Sequence, residues 1–191
     1  TTYGGKPQLM VPKVVSQRAS GTAILPNGDV VIADAYRGVL VSVNINGGQK
    51  TIARNLRFPN GVTVDLQGLV YVSEQVGGQV QQVNPANGDI KVVARGLNHP
   101  NGISFSPDYS YLYICSFGGG TVHRLELDGQ RNPVGVTLYA DNFPDNGINN
   151  SKDWDIWSWF DWDIYNWDKN NRGFDGLGVD ACGNVYVTEF N

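Results

Sequence analysis

The sequence predicts an all-β fold, a β-propeller. Three observations carry that expectation: a repeat of about 40 residues, turn chemistry at fixed places within it, and strand-type alternation without helical periodicity. Four stretches share the pattern: "GTAILPNGDVVIADAYRGVLVSV" from Gly21, "GVTVDLQGLVYVSEQVGGQVQQV" from Gly61, "GISFSPDYSYLYICSFGGGTVHRL" from Gly102 and "GLGVDACGNVYVTEFN" from Gly176. The spacing is 40 residues from Gly21 to Gly61, 41 from Gly61 to Gly102, and 74 from Gly102 to Gly176.

Each unit reads as glycine, alternating apolar residues, a turn, more alternation, a loop and a further strand. The turns "PNGD", "LQG", "SPDYS" and "DACGN" put Asn, Asp or Gly where a reversing chain needs positive φ or side-chain-to-backbone hydrogen bonds. In "VYVSE" and "LYICSF", β-branched and aromatic residues alternate with others as a sheet with two different faces requires. The innermost strand of each blade is expected just after Gly21, Gly61, Gly102 and Gly176. The whole chain, 1–191, then reads as one partial propeller domain, with blades near 20–56, 58–96, 98–140 and 173–191 and an insertion at 141–172. That is about three and a half to four blades. Propellers protect their strand edges by completing a ring. The expectation is therefore an arc, with the rest of the propeller supplied by another segment or another chain.

Composition narrows the function classes. Hydrophobic content of 41% with 17% charged residues is ordinary for a folded domain. Fourteen basic against eighteen acidic residues give a formal charge of −4, no basis for neutralising phosphates, so nucleic acid is a poor partner. No apolar run approaches the roughly 20 residues needed to span a bilayer, and no charged-then-apolar leader opens the chain. It reads as soluble as made, or as a chain whose leader has been removed. Abundant Gly and Asn with few Lys lean towards a secreted or periplasmic protein. Cys115 and Cys182 have no metal-ligand spacing and are expected to be buried free thiols.

Two repeats open through the same tripeptide, Pro59-Asn60-Gly61 in "RFPNGVTVD" and Pro100-Asn101-Gly102 in "NHPNGISFS", and the last through Asp175-Gly176 in "FDGLGVD". Singly, Asn-Gly and Asp-Gly are turn dipeptides. At equivalent positions of a rotational repeat, Asn60, Asn101 and Asp175 should converge on the central channel at one mouth. Two amide oxygens and one carboxylate are hard donors suited to a divalent cation, Ca²⁺ first, with Zn²⁺, Mn²⁺ or Fe²⁺ as alternatives. With few anionic ligands, such an ion keeps most of its charge for polarising a carbonyl or acidifying bound water.

On these motifs, "FPNGVTVDLQGLVYVSE", "HPNGISFSPDYSYLYICSF" and "FDGLGVDACGNVYVTEF", the chain resembles the gluconolactonase, regucalcin and senescence-marker family of six-bladed propellers, relatives of the diisopropylfluorophosphatase and paraoxonase type of calcium-dependent esterases. The resemblance covers roughly residues 20–140 and 173–191. It implies a hub cation held by a Glu early in the chain and then by Asn60, Asn101 and Asp175. It further implies that Asp175 is the catalytic group that activates water or attacks substrate, a small lactone or ester. The family's Glu has no counterpart: the glutamates here are Glu74, Glu126 and Glu189, all too late, and the repeat from Gly21 corresponds to a blade that carries no ligand in the family. "VVIADAYRGVLVSV" is also similar to strictosidine synthase-like propellers, which do not use the same metal chemistry. A non-catalytic propeller that binds protein or glycan, like NHL-type modules, is the remaining alternative.

The insertion "DNFPDNGINNSKDWDIWSWFDWDIYNWDKNNRG" holds all five tryptophans, interleaved with aspartates. It should border the mouth, where tryptophans suit stacking on sugar rings or enclosing an acyl chain. Trp157 and Trp159 are thus candidate substrate contacts, or else pack against a blade edge. His99 adjoins the Pro-Asn-Gly opening and is a candidate substrate contact at the mouth, or else a loop side chain. His123, in a third strand, is read as structural. "FGGGT" lacks the Lys and helix of a P-loop, and no nucleophile elbow is present.

Overall fold

The computed structural model describes residues 18–141 and 173–190. Among them every regular element is a β-strand. The first blade is β1 (Ala19–Ile24), β2 (Val30–Asp34), β3 (Val39–Val43) and β4 (Gln49–Ala53); the second is β5 (Pro59–Val64), β6 (Val70–Glu74), β7 (Gln79–Val83) and β8 (Ile90–Arg95). The third is β9 (Pro100–Phe105), β10 (Tyr111–Ser116), β11 (Thr121–Leu127) and β12 (Pro133–Ala140), and a two-stranded fourth sheet follows with β13 (Gly173–Val179) and β14 (Val185–Phe190). Each sheet is an antiparallel meander whose strands pair in chain order. The fold is the all-β propeller type that the repeat predicts.

Three of the four buried clusters lie between blades, and the fourth, Ile32, Val39, Val41 and Val43, lies on one face of the first blade. Val31, Leu40 and Ile52 of the first blade pack with Val62, Val70 and Val72 of the second. Tyr71 and Val80 of the second meet Ile103, Leu112 and Leu125 of the third, and Tyr113, Cys115 and Val122 of the third meet Phe174 of the fourth. Alternation along β6 explains this: Val70 and Val72 face one neighbour while Tyr71 faces the other, so a central strand is apolar on both faces.

The innermost strands β1, β5, β9 and β13 begin two or three residues before the glycines, earlier than the turn signal suggests. The reason is a β-bulge in each. Pro59 pairs with Glu74 and Val62 with Val72, so Asn60 and Gly61 together oppose Ser73. Asn101 and Gly102 likewise oppose Cys115, Asp175 and Gly176 oppose Thr188, and Ser20 and Gly21 oppose Ala33. Glycine is required there by the approach of neighbouring blades. A Cβ on Gly21 would lie 2.2 Å from the Asn60 carbonyl oxygen, and one on Gly61 2.2 Å from that of Asn101. The inner strands therefore touch through backbone, as close packing around an axis demands.

The cysteines divide. Cys115 is a buried free thiol, whereas Cys182 is exposed, because it sits in the β13–β14 turn rather than on a strand face.

Candidate functional site

Each predicted hub residue is the first residue of a bulge. Bulging breaks the two-residue alternation and re-aims one side chain, which is how a strand packed on both faces can still present a group at its end. The backbone before each Pro-Asn-Gly is itself unusual: Phe58 and His99 hold φ at 59° and 51°. Non-glycine residues occupy that region only where surrounding contacts impose it. Here the Phe58 and His99 carbonyls accept the amides of Gln75 and Phe117, the residues just past the ends of β6 and β10.

Asn101 and Asp175, 74 residues apart in the chain, meet directly: the Asn101 Nδ2 donates to Asp175 Oδ1 at 2.9 Å. Asn101 is buried and Asp175 exposed, so a solvent-accessible carboxylate is backed by a fixed amide. Asn60 is half-buried and does not join that pair; its Nδ2 donates to Gln75 Oε1 at 3.0 Å. Gln75 was not legible as a site residue, although its place offers a signal, since Ala35 and Phe117 stand at the equivalent positions and only here is the residue polar.

Two further side chains tie the bulges together. Ser73 Oγ accepts the Gly61 N–H at 2.8 Å and donates to the Asn101 carbonyl at 2.6 Å. Cys115 Sγ lies 3.3 Å from the Asp175 carbonyl and 3.5 Å from that of Phe174, donating to both. Burial pushes the Cys115 thiol up to about 12, with the Asp175 charge adding to the effect. It therefore remains a protonated donor at neutral pH.

His99 is half-buried, with Nδ1 2.8 Å from Asn98 Oδ1, and burial holds its imidazole below the usual histidine range. His123 lies in β11, with Nδ1 3.4 Å from Ser116 Oγ. Trp157 and Trp159 lie outside the described residues. Glu74 is fully buried at the end of β6, its Oε2 accepting the Arg57 amide at 3.0 Å.

The donor set fits a hard cation. Asp175 supplies a carboxylate, and Asn101 and Asn60 supply amides whose N–H groups are now spent on Asp175 and Gln75. Among the described residues, no three His, Cys, Asp or Glu side chains converge. A cation at this mouth would thus be held largely by neutral oxygens.

The family model for the SMP-30/gluconolactonase/LRE-like region matches residues 14–191. The chain belongs to that family. Among solved structures, a protein assigned to the gluconolactonases superposes with a TM-score of 0.63 at 18% identity, covering 88% of this chain and 56% of the other. A calcium-binding protein, regucalcin from Agrobacterium tumefaciens, superposes with a TM-score of 0.61 at 19% identity, covering 88% of this chain and 52% of the other. These likenesses establish the shared fold. A curated relative, the Arabidopsis thaliana protein strictosidine synthase-like 3, is 32% identical over an alignment of 155 residues that covers 69% of this chain and 39% of that protein. The chain thus spans little more than half the length of these structures, and less of the curated relative.

Proposed function

We propose that this member of the SMP-30/gluconolactonase family is a metal-dependent hydrolase of lactones or esters, working at the mouth where Asn101 and Asp175 meet. The observation that carries the reading is their hydrogen bond across two blades at bulge positions. A divalent cation, Ca²⁺ first, would be held by Asp175, Asn101 and Asn60, and when bound it would polarise the substrate carbonyl and lower the pKa of a water. Membership of the family and the fold shared with a calcium-binding regucalcin support this.

In this reading Asp175 handles the protons. Its exposed carboxylate can take a proton from the attacking water as the carbon–oxygen bond forms, then return it to the ring or ester oxygen as the acyl bond breaks. Asn101, buried and bonded to Oδ1, fixes the carboxylate's orientation. Asn60 is set by Gln75 on its own blade.

The test uses the full-length protein. Asp175→Asn should lower kcat/KM on lactones by about 10²–10⁴-fold, the usual worth of a positioned acid–base group. Asp175→Ala should abolish binding of one equivalent of Ca²⁺ in a calorimetric titration. The 32% identity to a strictosidine synthase-like protein favours a second reading, a propeller whose mouth chemistry needs no hub cation. Absence of Ca²⁺ binding to the full-length wild type would select it.

A further inference from the structure

We infer that Ser73 and Cys115 are positioning residues, each holding in place the hub residue of the following blade through that residue's main-chain carbonyl. The inference rests on the cation-site reading above and names the device that sets the site's geometry.

The bulge creates the need for it. Where Asn60 and Gly61 oppose a single residue, the Gly61 N–H is left off the β5–β6 ladder, and a buried N–H without a partner is costly. Ser73, the residue opposite, satisfies it at 2.8 Å and then spends its own proton on the Asn101 carbonyl at 2.6 Å. A hydroxyl can do both because it accepts and donates at one atom. Each bond in such a chain polarises the next.

The same relay recurs one blade on. Cys115 opposes the Asn101-Gly102 bulge and donates to the carbonyls of Phe174 and Asp175. In the fourth sheet Thr188 opposes Asp175-Gly176 and accepts the Gly176 N–H at 2.8 Å. Serine, cysteine and threonine are the small side chains that both accept and donate. The exception is informative. Ala33 opposes Ser20-Gly21 in the first blade and cannot relay to Asn60, and Asn60 is the hub residue whose side chain is instead fixed from its own blade by Gln75.

Ca²⁺ titration of the full-length protein tests this. Ser73→Ala and Cys115→Ala should each weaken Ca²⁺ binding about three- to tenfold, the net worth of one hydrogen bond. Ser73→Thr and Cys115→Ser, which retain a side chain that both donates and accepts, should keep affinity near the wild type. Val80→Ala, a core truncation at the same blade interface, should lower Tm without weakening Ca²⁺ binding. Unchanged affinity in both alanine variants, or an equal loss in Val80→Ala, overturns the inference even if Asp175→Ala still abolishes binding. Should Ser73→Ala not fold, Cys115→Ala carries the same comparison. If the wild type binds no Ca²⁺, the hydrolase reading fails, and the relay is judged on the metal-free protein by the Asn101 side-chain amide resonances. A shift of those resonances towards free-amide positions in Ser73→Ala supports the relay, and unmoved resonances overturn it.

Discussion

The sequence Asp-x-x-Gly-x-Val-Tyr occurs twice, as Asp65–Tyr71 in the second blade and Asp180–Tyr186 in the fourth sheet, with the same local chemistry and opposite surroundings. In both, the aspartate Oδ1 accepts the backbone N–H groups two and four residues on, and the tyrosine hydroxyl donates to Oδ2, at 3.3 Å from Tyr71 and 3.0 Å from Tyr186. Yet Tyr71 is fully buried and Tyr186 is 59% exposed. The third blade makes the difference: Phe105 meets the Tyr71 ring edge-on at 4.9 Å, and Arg131 brings its Nε to 4.0 Å from Asp65. The motif therefore writes the turn, and the neighbouring blade writes the core.

The largest expected effect separates the two tyrosines in this chain. Tyr71→Ala removes a buried aromatic ring and should cost about 3–5 kcal/mol in denaturant unfolding. In this chain, where Tyr186 is exposed, Tyr186→Ala should cost clearly less than Tyr71→Ala. A comparable loss at Tyr186 would mean that something covers that face, and the comparison would break.

Next come the inner-strand glycines. A methyl on Gly61 would meet the Asn101 backbone, which cannot swing aside, so Gly61→Ala should cost about 1–3 kcal/mol or more. The same change at Gly176 meets only the Thr188 hydroxyl at 2.9 Å, which can rotate. Its effect on the unfolding midpoint should be clearly smaller. Tyr71→Phe follows, at about 1–3 kcal/mol, since it leaves the buried Asp65 Oδ2 and the Gln82 amide without the hydroxyl between them. Tyr186→Phe, with water as substitute partner, should be silent in the same assay.

The contrast also explains what could be read in advance. Turn residues and the glycine spacing act within one unit, so the 40-residue repeat and the Pro59-Asn60-Gly61 and Pro100-Asn101-Gly102 openings were legible. Strand starts were displaced because a bulge hides its extra residue in a period-two pattern. Ser73, Gln75 and Cys115 were missed because what they do depends on a partner in three dimensions. Ser73 and Cys115 bond across a blade boundary, whereas Gln75 differs from Ala35 and Phe117 only in polarity. Cys182 was expected to be buried like Cys115, but a turn residue has no neighbouring blade to cover it. The hydrogen bond between Asn101 and Asp175 is the kind of contact that rotational repetition anticipates, whereas the bond from Asn60 to Gln75 on its own blade is not.

The smallest expected effect concerns the two histidines, where burial again depends on neighbouring strands. Burial lowers the folded-state pKa of His99 and of His123 below that of an unfolded histidine, about 6.5. Above that pH both states are neutral at these sites and stability is unaffected. As pH falls through it, the unfolded chain binds protons that the folded chain resists, so stability declines and levels off only below the folded pKa values. His99→Asn removes one such group and keeps a residue that tolerates positive φ. The decline as pH falls below about 6.5 should shrink in that variant and shrink further when His123→Gln is added. An unchanged slope in urea midpoints across that window would show that these rings are hydrated in both states, and that the blade loops at the mouth are looser than the buried strands beneath them.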